Sequence, residues 1–139
     1  MLNLAGLEFR ANAALLASYL GLFAASAHAQ SAQSASQAND AAYHEAIERA
    51  LQEFNLGHWT EAKVFFSEAH GRKPSARTLR GIGLACYESR NYVEAIDFLG
   101  QALQSPAQPL TPVMRSAAAK LIEQARQFVM RAEIELSPK

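Results

Sequence analysis

The chain has 139 residues, half of them apolar, which suits one small domain with a buried core. Its 13 Lys and Arg residues balance its 13 Asp and Glu residues, so the formal net charge is zero and no global field directs the protein towards nucleic acid or an anionic membrane. The single cysteine, Cys86, excludes an internal disulfide. Its apolar neighbours favour a buried thiol over a reactive one.

Residues 1–29 are typical of a secretory signal peptide. Arg10 precedes an apolar run of about 13 residues, which ends at Ala27-His28-Ala29, a small-x-small cleavage signal. A bilayer span needs roughly 20 residues, so this run is too short for one. We therefore expect a periplasmic or secreted protein without a membrane span after cleavage. An uncleaved N-terminal anchor helix is the alternative.

Residues 30–39 contain no large apolar side chain, which predicts a disordered Ser/Ala/Gln linker. Beyond this linker, apolar residues recur at three- and four-residue steps, as they do in amphipathic helices. Gly57 and Pro74 mark helix ends, while Ser75 and the Asn91/Glu94 pair are suitable N-terminal caps. The predicted helices span about residues 40–56, 59–72, 76–89, 91–104 and 112–129.

The end of the chain contains two different patterns. The fifth predicted helix starts at Pro112, where the missing N–H is harmless. From residue 130 the pattern changes to strict alternation, which is typical of a strand, although one strand has no ladder partner in this chain. The alternation leaves open an orphan strand within 130–139, a strand offered to a partner, and the frayed end of the fifth helix. The predicted apolar stripe of the fifth helix consists of Met114, Ala117, Leu121, Ala125 and Phe128.

The centre of the chain repeats with a period of about 33 residues, which is the mark of a helical repeat array. The repeat alternates small and large side chains, so that the alanines let neighbouring helices approach and the rings fill the wider spaces. The first copy contains Trp59, Ala62, Phe66 and Ala69. The second copy, one period later, contains Tyr92, Ala95, Leu99 and Ala102.

These residues carry a family resemblance. The motif Gly57-x-Trp59-x-x-Ala62-x-x-x-Phe66-x-x-Ala69, closed by Pro74, resembles the second helix of a tetratricopeptide repeat. The second copy, with Leu79-x-x-Ile82-Gly83-x-x-Cys86 before it, resembles a whole repeat. The amino-acid sequence from Pro74 to Ala85 is also similar to segments of secreted tetratricopeptide proteins of myxobacteria-like bacteria.

The resemblance covers roughly residues 42–136 and implies an all-α fold. That fold has two helix–turn–helix repeats followed by a C-terminal capping helix, an α-solenoid fragment within residues 40–129. In the first repeat we place Ile47, Ala50, Leu51 and Phe54 at the packing positions, which leaves the turn before Trp59 one residue short.

No motif predicts catalysis, a cofactor or a metal site. His44, His58 and His70 are widely separated in the sequence, so no two lie one turn apart on a helix. The chain contains no Gly-x-Ser-x-Gly elbow, and Gly81-Ile82-Gly83 lacks the third glycine of a phosphate-binding loop. We therefore expect a protein that is not an enzyme. A metal-dependent or hydrolytic enzyme is the alternative, and metal analysis of the purified protein tests it.

The resemblance implies a different function, the binding of a protein or peptide along the concave face that the first helix of each repeat lines. Arg77 and Arg80 are one helical step apart and could hold one carboxylate through bidentate hydrogen bonds. Alternatively, both arginines are solvated or pair with Glu88. Gly81 and Leu84 occupy the places where the family's clamp for chaperone tails needs asparagines. The expected groove residues are His44, Leu51, Asn55, Arg77, Arg80, Leu84 and Tyr87.

A structural function is the second hypothesis. Two repeats and a cap lie near the lower limit for an independently stable array, so a partner or self-association would stabilise the fold. The protein would then be an envelope-assembly component that forms a homo-oligomer through residues 130–139.

Overall fold

The computed structural model describes residues 33–136. The predicted signal peptide, linker residues 30–32 and residues 137–139 lie outside this range. Within it the protein is all-α, with five helices and no strand. The helices are α1 (33–56), α2 (Trp59–Arg72), α3 (Ala76–Glu88), α4 (Tyr92–Gln104) and α5 (Pro112–Leu136).

The start of α1 differs from the prediction. Residues 33–39, predicted to be disordered linker, are helical and exposed, so Asn39 and Asp40 lie inside α1 and do not cap it. Low hydrophobicity removes burial as a driving force, but Ala and Gln have high intrinsic helix propensity. Residues from Asp40 onward form a compact unit, and the contacts described below lie within it.

The end of α5 also differs from the prediction. Residues 130–136 are helical, so of the interpretations left open for the tail the extension of the fifth helix is correct and a strand over these residues is not. Alternation over a few residues is a weak signal, and a strand needs a ladder partner to satisfy its backbone groups. A helix satisfies these groups internally.

Short turns join the first four helices and place consecutive helices side by side. Gly57 (φ 79°) and Arg90 (φ 63°) both adopt the left-handed conformation, and they occupy the same position of the two repeats. The backbone N–H groups that follow them make equivalent bonds, from His58 to Glu53 O at 3.0 Å and from Asn91 to Cys86 O at 2.9 Å. The two turns therefore have the same geometry.

This equivalence corrects our alignment of the first repeat. The turn before Trp59 is not one residue short, because the offset that relates Trp59 to Tyr92 also relates Ala46 to Leu79 and Ala50 to Gly83. Ala46 and Ala50 are buried, whereas Leu51, which we placed at a packing position, is 50% exposed. Ala46 is too small to identify the register by hydrophobicity alone.

Helix α3 is the centre of the array, packed between α2 and α4. A Cβ atom at Gly81 would lie 2.6 Å from Cδ1 of Phe66, and one at Gly83 would lie 2.7 Å from Cγ of Leu99. Phe66 on α2 and Leu99 on α4 occupy the same repeat position, so each of the two helices packs against its own glycine of α3. This close approach explains why α3 tolerates two residues of poor helix propensity.

Burial agrees with the predicted repeat core. Trp59 and Tyr92 are half-buried: Trp59 lies edge-on to Phe54 and Tyr92 edge-on to Tyr87, with ring centroids 4.8 and 5.6 Å apart. The other predicted core residues are buried, namely Ala62, Phe66, Ala69, Leu79, Ile82, Gly83, Ala95, Leu99 and Ala102.

Helix α5 covers the open side of the second repeat. Ala118 and Ile122 pack with Leu79 and Leu99 in a buried cluster. The buried face of α5 therefore differs from the predicted stripe. Ala117 of the predicted stripe is exposed, and Phe128 is 42% exposed. The buried stripe of α5 consists of Ala118, Ile122 and Ala125, flanked by the half-buried Met114 and Leu121.

Of the two predicted N-terminal caps given above, the one at Ser75 is confirmed and the one at Asn91 is not, and Thr111 caps α5 without having been predicted. Ser75 Oγ accepts a hydrogen bond from Thr78 N at 3.2 Å, and Thr111 Oγ1 accepts one from Met114 N at 3.3 Å. The capping box predicted at Asn91 is absent, because its side chain makes no capping hydrogen bond. Glu94 instead pairs with Lys63 of α2.

Candidate functional site

Helices α1 and α3 and the start of α5 enclose a groove with a cavity volume of about 430 Å³. Its α1 wall is the apolar row at three- and four-residue steps that is visible in the sequence. The row extends over roughly 16 Å at 1.5 Å per residue. It consists of Tyr43, Ile47, Leu51 and Phe54.

The floor of the groove depends on Gly81. Since this residue has no side chain, the Phe66 ring of α2 reaches the groove between α1 and α3. Any larger residue at position 81 would displace this ring. The opposite rim contains Gln108, from the turn before α5, and Met114.

The charge of the groove comes from α3. Arg77 and Arg80 line it, and no Asp or Glu among the described residues does. Arg77 is exposed, whereas Arg80 is half-buried and its Nε is buried without a hydrogen-bond partner. Neither arginine takes part in an ion pair among residues 33–136, so local pairing with Glu88 does not occur.

A buried polar network positions the start of α3, from which both arginines project. Thr78 Oγ1 donates to the Ser75 carbonyl at 2.9 Å and lies 3.0 Å from Ser75 Oγ. The third contact of Thr78 Oγ1, 2.7 Å from Nδ1 of His70, connects the network to α2.

The structure brings together four of the seven predicted groove residues, Leu51, Arg77, Arg80 and Leu84. The other three do not line the groove. His44 and Asn55 are exposed, and the His44 ring contacts Tyr43 edge-on with centroids 5.3 Å apart. Tyr87 turns towards α5, where its hydroxyl donates to Gln124 Oε1 at 3.5 Å and burial raises its pKa.

Eight lining residues were missed from the sequence, most of them because the sequence does not reveal which apolar residues remain accessible. In the α1 row, Leu51 is predicted both as a packing residue and as a groove residue, whereas Ile47 and Phe54 are predicted only as packing residues. A geometric signal does exist, since Ile47 and Arg80, and likewise Leu51 and Leu84, occupy equivalent positions of the two repeats. The residues missed are Tyr43, Ile47, Phe54, Phe66, Thr78, Gly81, Gln108 and Met114.

A second polar cluster joins α2, α3 and α4 at Lys63, Cys86 and Glu94. Lys63 Nζ donates to Glu94 Oε2, and Cys86 Sγ donates to the same oxygen at 3.5 Å. The lysine hydrogen bond lowers the pKa of Glu94, and the same bond raises the pKa of Lys63. Burial raises the pKa of the Cys86 thiol to about 11, so the thiol is protonated at neutral pH and is a poor nucleophile.

No protein-family model, curated protein or solved structure matches the chain. Among residues 33–136, no three His, Cys, Asp or Glu side chains are placed to hold a metal ion together. No helix in this range is long and apolar enough to cross a bilayer.

Proposed function

We propose that this protein is a non-catalytic interaction module that binds a peptide or protein segment in the groove between α1, α3 and α5. The observation that carries the proposal is an apolar groove of about 430 Å³ whose polar side chains converge from α3. Apolar walls that carry a few well-placed polar groups are typical of ligand-binding sites.

Two further observations support binding at this surface. Leu51, in the middle of the α1 wall, is a large apolar residue left 50% exposed. On the opposite wall, the Arg80 side chain forms no ion pair among the described residues, and its Nε is buried without a hydrogen-bond partner. A monomer gains no stability from either feature, whereas a bound segment would cover Leu51 and could pair with the guanidinium.

The family and the location belong to the same proposal. The repeat period, the equivalent turns at Gly57 and Arg90, and the paired glycine contacts of α3 support a tetratricopeptide-like array. The resemblance of residues 1–29 to a signal peptide supports export to the cell envelope.

Site-specific photocrosslinking tests the proposal. A benzophenone side chain is placed at Leu51 in the groove or at Val64, which is 59% exposed on α2 and does not line the groove. We expect Leu51 to crosslink a defined envelope protein that Val64 does not. That protein is then purified, and its affinity for the full chain is measured by calorimetry.

The matched substitutions are Leu51→Glu and Val64→Glu. A carboxylate in the apolar wall should weaken binding of the purified partner at least tenfold, while the α2 variant should bind like the wild type. Equal affinity of all three proteins, each with an unchanged melting temperature, would contradict binding in the groove.

The homo-oligomer remains the second proposal, now through the helical end of α5. Phe128 stacks on Tyr92 with ring centroids 4.6 Å apart, yet 42% of Phe128 and 60% of Met130 are exposed. Sedimentation of the full chain and of a Met130→Glu variant tests it. A dimer that the substitution dissociates supports this function, and a monomer at high concentration argues against it.

A further inference from the structure

We infer that the segment bound in the groove carries an internal Asp or Glu with apolar side chains on both sides, and that Arg80 binds its carboxylate. This inference rests on the proposed function and specifies the chemistry of the partner. The proposed occupant is an acidic and apolar segment of another protein.

The requirement for a carboxylate follows from the charges of the groove. Arg77 and Arg80 are both free of ion pairs among residues 33–136, and no carboxylate of this range lines the groove. A guanidinium presents its N–H donors in a planar fork that matches a carboxylate. The buried Nε of Arg80 makes this arginine the inner contact, while the exposed Arg77 lies nearer to solvent.

The requirement for flanking apolar residues follows from the repeat register. Arg80 corresponds to Ile47, which lies within the α1 row, between Tyr43 on one side and Leu51 on the other. On α3 itself, Gly81 and Leu84 continue the apolar surface on one side of Arg80, and Arg77 lies on the other. A carboxylate held at Arg80 therefore faces an α1 wall that is apolar on both sides of it, which fits an acidic residue inside a segment better than a chain terminus.

Arg80 should lower the stability of the free protein. A buried donor without a partner loses its hydrogen bonds to water and gains none in return. Arg80→Met retains an apolar stem of similar reach but removes the unsatisfied donor. We expect this variant to melt at or above the wild-type temperature and yet to lose its preference for acidic peptides. A purely structural role of Arg80 predicts a lower melting temperature.

The test uses a random nonapeptide library displayed on phage, with each peptide fused at its C-terminus so that no terminal carboxylate is free. Selection is performed on the full chain, with Leu51→Glu as the groove-blocked counter-selection. Enriched peptides should contain Asp or Glu between apolar residues. They are then synthesised, together with partners in which only the acid is replaced by its amide, and their affinities are measured by fluorescence anisotropy.

We expect the amide replacement to weaken binding about tenfold or more for wild type, and to change binding by less than about threefold for Arg80→Met. The matched control is Arg126→Gln, on an exposed arginine of α5 outside the groove, which should keep the full preference for the acid. The comparison of acid with amide needs no protein variant, so it tests the inference even if Arg80→Met does not fold.

The outcomes separate this inference from the proposed function. Enrichment that depends on Leu51 but shows no acidic preference would overturn the inference and leave the groove as a binding site. An acidic preference that persists unchanged in folded Arg80→Met would also overturn it. No enrichment on wild type over the groove-blocked variant would overturn both.

Discussion

Single residues on α3 determine how closely its neighbours approach. Gly81 accommodates the Phe66 ring and thereby forms the floor of the groove, whereas Gly83 accommodates Leu99 on the side of α4. The two contacts differ in how far they can adjust. The Phe66 ring can shift towards the groove, but a Cβ added at Gly83 would also meet the backbone nitrogen of Leu99, at 3.1 Å.

Gly83→Ala should therefore destabilise the fold by about 1–3 kcal/mol, because overpacking outweighs the gain in helix propensity. Chemical denaturation monitored by circular dichroism measures the free energy of unfolding. The matched control is Gly71→Ala on α2, where a Cβ meets no atom within 4 Å. That variant should be neutral or more stable by up to about 1 kcal/mol. A neutral Gly83→Ala would show that α3 and α4 can separate without cost.

An ion pair also connects helices α2 and α4. Glu94 connects α4 to Lys63 on α2 and accepts the thiol hydrogen bond of Cys86 on α3. Its counterpart in the first copy of the repeat, Glu61, is exposed and forms no ion pair among the described residues. Glutamate at this repeat position therefore joins helices in the second copy and forms no such contact in the first.

Glu94→Gln should change how stability depends on pH. The pKa of Glu94 is lowered from 4.5 in the folded protein, so its contribution is present above pH 4.5 and is lost as pH falls through the folded value. The pKa of Lys63 is raised from 10.5, so its share is lost only as pH rises through a value above 10.5.

Melting temperatures measured between pH 7 and pH 3 check this prediction. Wild type and Glu94→Gln should differ most at neutral pH and converge in acid, whereas Glu61→Gln should follow the wild type throughout. A constant difference between wild type and Glu94→Gln would show that the carboxylate charge does not matter.

Within the compact unit that starts at Asp40, α5 covers the second repeat. Its buried residues Ala118 and Ile122 complete the cluster that contains Leu79, Leu99 and Leu110. Repeats bury their apolar faces only by stacking, so the second repeat depends on this cover.

A chain ended at Thr111 should lose its cooperative thermal transition, since the apolar cluster beneath α5 becomes solvent-exposed. A chain ended at Ala132 keeps the buried part of α5 and should unfold like the full chain. Circular dichroism during heating distinguishes the two. A sharp transition for the shorter chain, at the same temperature as for the full chain, would show that α5 is not the cap.

The amino-acid sequence by itself determined the helical class, the bounds of α2, the repeat period and the buried small residues such as Ala62 and Ala95. These features depend on residues close to one another in the sequence and on a residue spacing that occurs in both copies of the repeat. Only the tertiary structure decided the register of the first repeat, in which Ala46 replaces a larger residue.

The tertiary structure also decided the helical tail, the stripe of α5 and the partner of Glu94. It assigned Tyr43, Ile47 and Phe54, besides the predicted Leu51, to a groove wall. For the stripe of α5 and the α1 row the physical reason is the same. Periodicity shows that a helix has an apolar face, but which residues of that face remain open depends on the distance to the next helix, and here that distance depends on Gly81 and Gly83.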